Sequence, residues 1–252
     1  MEVFNPSLYS IGLNSNIQLN RFGKNVYFGQ NPIQDSFQST SPVKLFNENE
    51  IKKMISQNTD IKKLLSENKI PIRLNMTELK DLAQHHCKDT QEIAASIANN
   101  LPQSLKQQVN IKNLKDGAML HDFGKVLIPA EILNKNGALT PEEHKIMDLH
   151  SELGYQLLKN SGVNDEILKL VRYHHDNKQN NFVPDINLQI LNLADKYSAL
   201  TEERVYKEAF SPQKALTILY SEVKKGDIHP FIFNALVKSI QTKEVPQIVN
   251  KY

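Results

Sequence analysis

The stretch Met119-Leu120-His121-Asp122-Phe123-Gly124-Lys125-Val126-Leu127-Ile128-Pro129-Ala130-Glu131-Ile132-Leu133 decides how the rest of the chain is read. Ahead of it, Ile111, Leu114 and Ala118 recur at intervals of three and four, which puts them on one side of a helix, and His121 falls on that side. Asp122 follows directly, and Gly124 ends the helix. Burying a histidine and an aspartate together costs free energy unless they are paired or bound to a metal.

Four further segments repeat this arrangement. In Thr77–Leu101 the stripe Leu79, Leu82, Ile93, Ile97 takes in His86, while His85 turns away with Asp89 and Glu92. Ile146, Leu153 and Leu157 frame His150. Ile167 and Val171 lead to His174, and Leu168 and Val171 lead to His175. Leu188 and Leu191 lead to Asp195. One such residue alone reads as a hydrogen-bonded core histidine or a capping aspartate. Five helices that each turn one inward read as a metal site. The donors are imidazole nitrogen and carboxylate oxygen. Cys87, the only cysteine, has no partner for a structural zinc site. The set suits iron or manganese, with catalytic zinc or nickel as further candidates. Seven donors exceed the needs of one ion. An aspartate beside a histidine can bridge two, about 3.5–4 Å apart, as in phosphate ester hydrolysis.

Helical periodicity dominates the chain from Asn47 onward. It predicts helices near 48–57, 60–67, 76–100, 103–122, 140–159, 163–175, 186–202, 211–224 and 230–241, and an all-α fold. Thr140-Pro141-Glu142-Glu143 reads as a helix start with a capping threonine, and Ser211-Pro212 and Thr77 read alike. Residues 1–46 are rich in Asn, Gln, Ser, Gly and Pro without a helical period, and are expected to form a disordered tail, a candidate protein-binding segment. Residues 47–75 read as a helical extension, 76–242 as the main domain and 243–252 as a C-terminal tail.

Composition narrows the partners. Lys+Arg at 30 nearly balances Asp+Glu at 28, so no basic field points to nucleic acid or a membrane surface. No secretory leader pattern and no apolar run of about 18 residues is present, and a single cysteine fits a reducing compartment, so a cytoplasmic location is expected.

The pieces MLHDFGKVLIPAEIL (119–133), GALTPEEHKIMDLHSELGYQLL (137–158), RYHHDN (172–177) and LNLADKYSALTEERVYKEAFSPQKAL (191–216) together resemble the HD superfamily of metal-dependent phosphohydrolases, and within it the HD-GYP branch. The resemblance spans about residues 76–242. It implies an HD-domain helical bundle and metal-ligand roles for His86, His121, Asp122, His150, His174, His175 and Asp195. It implies phosphate contacts for Lys125 and Arg204, with Tyr206 and Lys207 nearby. Asp122 and Lys125 become the catalytic candidates. HD-GYP proteins hydrolyse cyclic di-GMP. This chain departs from that branch. Asp176 stands where a glutamate is usual, and Gly-Tyr-Pro is absent, with Pro184 alone remaining in that region. Leu82 occupies the position of a glutamate that supports a third metal in some members. Ser198 replaces a second aspartate and Val205 a proline. With Leu82 in place of that glutamate, two metals are expected and not three; the two-metal ligand set is whole, and the substrate-recognition loop is not.

The expected function is hydrolysis of a phosphodiester or phosphomonoester, with a nucleotide or cyclic dinucleotide as substrate, by a hydroxide bridging two metal ions. Lys125 and Arg204 would offset the charge on phosphate oxygens. The alternative is a non-catalytic signalling or adaptor module that binds a nucleotide or a protein. A metal-dependent oxygenase is a third reading, disfavoured by the two phosphate-type cations. Outside the motif, Lys125 would read as a surface lysine and Arg204 as a solvated arginine. His85 and His144 are expected on the outside, and His229 in a structural turn.

Overall fold

Two apolar cores, and the seam between them, organise the molecule. The computed structural model describes residues 47–175, 185–203 and 208–249, with side chains described up to Gln241. The tail expected at 1–46 lies outside them, as do Asp176, Pro184, Arg204, Val205, Tyr206 and Lys207. The described residues are helical, with no strand among them, as the periodicity predicts.

The helices are α1 (Glu48–Gln57), α2 (Thr59–Glu67), α3 (Met76–Gln84), α4 (His86–Asn100), α5 (Gln103–Lys106) and α6 (Ile111–Leu120). A 3-10 turn, Phe123–Leu127, precedes α7 (Ala130–Leu133), α8 (Pro141–Asp148), α9 (His150–Leu158) and α10 (Asp165–Tyr173). The chain ends with α11 (Ile186–Thr201), α12 (Pro212–Lys225) and α13 (Pro230–Val249). The first core gathers Ala94 and Ile97 of α4, Leu114 and Ala118 of α6, Leu191 and Ala194 of α11, Leu219 of α12 and Leu236 of α13. The second gathers Ile51, Ile61 and Leu65 of the first two helices with Phe123, Leu127, Leu153, Leu157 and Leu168. Truncating Leu153 or Leu157 there would cost about 2–5 kcal/mol.

Three long helices expected from the periodicity are each divided. The 76–100 helix breaks at His85, whose φ of −115° and ψ of −87° leave the helical region. Its halves serve different cores: Leu79 of α3 packs in the second, Ala94 and Ile97 of α4 in the first. A straight helix could not reach both. Of the stripe read from the sequence, Leu79, His86 and Ile97 are buried and Leu82 and Ile93 partly buried, and Thr90, Ala94 and Ala98 join the buried face. The 140–159 helix breaks at Leu149, between an α8 with no buried residue and an α9 that carries Leu153 and Leu157 into the second core. The 103–122 helix is interrupted before Asn110, whose side chain accepts from the Asn113 amide at 3.0 Å to start α6.

Caps behave mostly as read. Thr140 and Glu143 form a reciprocal capping box with Pro141 in the first turn. Ser211 caps α12 through the Lys214 amide. Thr77 is not a cap: Asn75 precedes α3, its amide donating to the Val126 carbonyl at 2.9 Å and its side chain bonded to the Ile128 carbonyl. That pair of bonds ties α3 to the 3-10 turn beside the histidine-aspartate run. The helical extension is also tied to the domain. Asn58 caps α2 and donates to the Gln156 carbonyl of α9 at 2.7 Å.

Candidate metal centre

His121 and Asp122 sit on the seam. Ala118, three residues before His121, belongs to the first core, whereas Leu120 and Phe123 belong to the second. Asp122, at φ −93° and ψ 8°, occupies the sparsely populated bridge region that turns the chain from α6 into the 3-10 turn. Gly124 lets that turn lie against α9. A Cβ there would meet the His150 carbonyl oxygen at 2.0 Å and the Gly154 nitrogen at 2.5 Å.

Every expected ligand in the described residues arrives at one place. His86 opens α4, His150 opens α9, and His121 and His174 close α6 and α10. His86, His121, Asp122, His150, His174 and Asp195 are buried, while the His175 side chain remains 49% exposed and so marks the open side. His85 and His144 are exposed, and His229 takes a hydrogen bond from the Phe231 amide in its turn, as expected.

Hydrogen bonds set the tautomers. Nδ1 of His121 lies 2.7 Å from the Ala118 carbonyl, Nδ1 of His150 2.7 Å from that of Met147, and Nδ1 of His174 2.8 Å from that of Val171. A carbonyl only accepts, so each Nδ1 carries the proton and each Nε2 presents a lone pair. Those lone pairs converge. His150 Nε2 is 3.1 Å from His174 Nε2 and 3.2 Å from His175 Nε2. His121 Nε2 is buried without a hydrogen-bond partner among the described residues, 3.4 Å from Asp122 and 3.6 Å from Asp195. Facing acceptors repel unless a cation lies between them, so this donor set fits a divalent metal.

The two Asp122 oxygens face different histidines. Oδ1 is 3.4 Å from His150 Nε2, and Oδ2 is 3.4 Å from His121 Nε2 and 3.6 Å from His86 Nε2. Lys125, partly buried rather than a free surface lysine, donates to the same Oδ2 at 2.7 Å. Three groupings of donors have ligand spacing: His150 with His174 and His175, His86 with His121 and Asp122, and His121 with His174 and Asp195.

Protonation follows the surroundings. Burial pushes the His150 imidazole down to about 4 and the His174 imidazole well below its usual value, so both are neutral near pH 7. Burial works to raise the Asp122 carboxyl, but Lys125 and the ring of imidazoles prevail and hold it well below the carboxylate range. Asp195 is held well below in the same way by His121 and His86. Neutral imidazoles and ionised carboxylates are the forms that bind metal. His86 differs. Burial works to lower it, yet Asp195, Glu202 and Asp122 together raise it to about 9.

Two residues around the cluster, Asn192 and Glu202, carried no sequence signal, whereas Ser198 was singled out as the replacement of a second aspartate. Asn192 donates to the His174 carbonyl at 2.7 Å, which holds the turn bearing the adjacent histidines. Ser198 and Glu202 of the α11 C-terminal turn face Nδ1 of His86. An asparagine or glutamate inside a helical pattern has nothing to mark it, although the spacing of four from Ser198 to Glu202 puts them on one face.

An all-helical domain around a buried histidine and aspartate cluster is the class that fold and site define. Residues 83–200, a little under half of the chain, match the HD domain family. The chain is 32% identical over 142 residues to the "Cyclic di-GMP phosphodiesterase response regulator RpfG" of Xanthomonas campestris, covering 52% of this chain and 36% of that protein. It is 26% identical over 164 residues to "3'3'-cGAMP-specific phosphodiesterase 1" of Vibrio cholerae, covering 62% of this chain and 37% of that protein. The chain thus spans little more than a third of the length of these curated relatives. Among solved structures, the fold is similar to Bd1817, described as an HDG"Y"P protein, from Bdellovibrio bacteriovorus. The TM-score is 0.52 at 15% identity, covering 79% of this chain and 68% of that one. No helix among the described residues is long and apolar enough to cross a membrane.

Proposed function

We propose that this chain is a metal-dependent phosphohydrolase that cleaves a phosphodiester of the cyclic dinucleotide class. The observation that carries this is the convergence of protonation-matched donors on Asp122, whose two carboxylate oxygens face separate sets of histidines. His86, His121, Asp122 and Asp195 would hold one ion. Asp122, His150, His174 and His175 would hold a second, iron or manganese being the best fit to the donors. Such ions supply Lewis acidity and lower the pKa of water that they hold.

The chain's own residues do the rest. The Nδ1 bonds of His121, His150 and His174 keep each ring oriented before anything binds. The His175 side chain, 49% exposed, marks a side from which a substrate phosphate would have access. Lys125 neutralises Asp122 and is placed to pass its ammonium to a phosphate oxygen once Asp122 is engaged elsewhere. Arg204 would join it from outside the described residues. The cyclic dinucleotide class is supported by relatives named for cyclic di-GMP and 3'3'-cGAMP. A cytoplasmic location accords with such a substrate.

The test is hydrolysis of a chromogenic phosphodiester, then of cyclic dinucleotides, by manganese- or iron-loaded protein. Turnover that needs the metal and disappears in Asp122→Ala is expected. Metal-loaded protein that cleaves none of these substrates would overturn the proposal and leave a binding module in its place.

A further inference from the structure

His86 is held differently from the other buried histidines. Those at 121, 150 and 174 each come three residues after a carbonyl that takes their Nδ1 proton. His86 is the first residue of α4, just past the break at His85, and its ring bonds to no backbone carbonyl of that kind. Its Nε2 points into the cluster, 3.0 Å from Asp195 Oδ1 and 3.6 Å from Asp122 Oδ2. Its Nδ1 points the other way, to Ser198 Oγ at 3.3 Å and Glu202 Oε2 at 3.6 Å. The Glu202 side chain is only 19% exposed. Asp195, Ser198 and Glu202 lie at intervals of three and four on α11, so one face of that helix addresses both nitrogens of the same ring.

Resting on the reading of the cluster as a metal centre, we propose that Glu202 is a positioning residue for the ion that His86 would bind. Its carboxylate is the negative partner of the His86 Nδ1–H, with Ser198 as the neutral one. It selects the tautomer that leaves Nε2 as the ligand and makes that nitrogen a stronger donor. A carboxylate behind a ligating histidine has this effect generally, and losing such a partner costs about 10–100-fold in metal affinity. The end of α11 thereby sets the strength of one ion site and not of the other, whose histidines at 150 and 174 are anchored by carbonyls three residues earlier.

The experiment is calorimetric titration of the full metal-free chain with manganese alone, comparing wild type with Glu202→Gln, Ser198→Ala and, as a control, Glu222→Gln, which loses only its bond with Lys196. Glu202→Gln is expected to weaken one of two binding events about 10–100-fold and leave the second unchanged. Ser198→Ala should have a smaller effect on the same event, and Glu222→Gln none. In zinc-loaded protein, nitrogen-15 spectra of the histidines should show His86 protonated at Nδ1. Unchanged affinities in Glu202→Gln, or an equal weakening of both events with a lower unfolding temperature, would overturn the proposal. Wild type that binds no metal would overturn the metal centre itself, a distinct result.

Discussion

Two kinds of histidine share this site. His121, His150 and His174 donate Nδ1 protons to carbonyls three residues earlier, so each ring is fixed by its own stretch of chain. His86 and His175 lack that bond in the structure: one leans on α11, and the other is half exposed. The difference teaches where the centre is preorganised. The locally anchored rings need only that the chain three residues before them is in place. His86 needs a second helix to be docked, so its geometry reports on the tertiary fold.

The largest effect should come from the residue that both kinds face. Asp122→Ala is expected to abolish metal-dependent turnover and to weaken both ions by more than the roughly 10–100-fold of a lost supporting partner, read by elemental analysis and a phosphodiester assay. If only one ion weakened, Asp122 would not join the two groups.

Gly124→Ala attacks the locally anchored side. Its Cβ would fall 2.0 Å from the His150 carbonyl, so α9 must shift and carry His150 with it. A loss of at least about 1–3 kcal/mol is expected in chemical unfolding, with weaker binding at the His150 ion. Asn192→Ala is the milder version. Removing its bond to the His174 carbonyl should cost about 1–3 kcal/mol and loosen the turn that carries His174 and His175, measured the same way.

The smallest and most diagnostic effect is in proton uptake. A histidine NMR titration of metal-free protein should find His86 protonated up to about pH 9 and His150 neutral down to about pH 4. The signs are opposite. A raised His86 stabilises the metal-free fold fully below its unfolded value of about 6.5, and that contribution disappears as pH rises through about 9. Burial of neutral His150 instead opposes its protonation, so its contribution is present above about 6.5 and is lost as pH falls toward 4. Metal loading near pH 7 should therefore release about one proton, from His86, detected in weakly buffered solution. Release of none would place His86 among the neutral rings.

Much of this protein is legible in the chain alone. Periodicity assigns the helical class, turns His86 inward and His85 outward, and selects His121, His150, His174 and Asp195, because burial of a face is a repeating pattern that spacing records. The capping box at Thr140 is legible for the same local reason. The breaks at His85 and Leu149 are not, since both sides have good helical patterns; at His85 the chain turns because Leu79 serves one core and Ala94 the other. Nor is the pairing of Lys125 with Asp122, which depends on the 3-10 turn, or the approach of Glu202 to His86 across 116 positions of sequence, which exists only because α11 docks beside α4. Sequence determined most of the side chains that face inward on each helix; tertiary packing decided which nitrogen His86 offers, because the partners of its other nitrogen come from another helix.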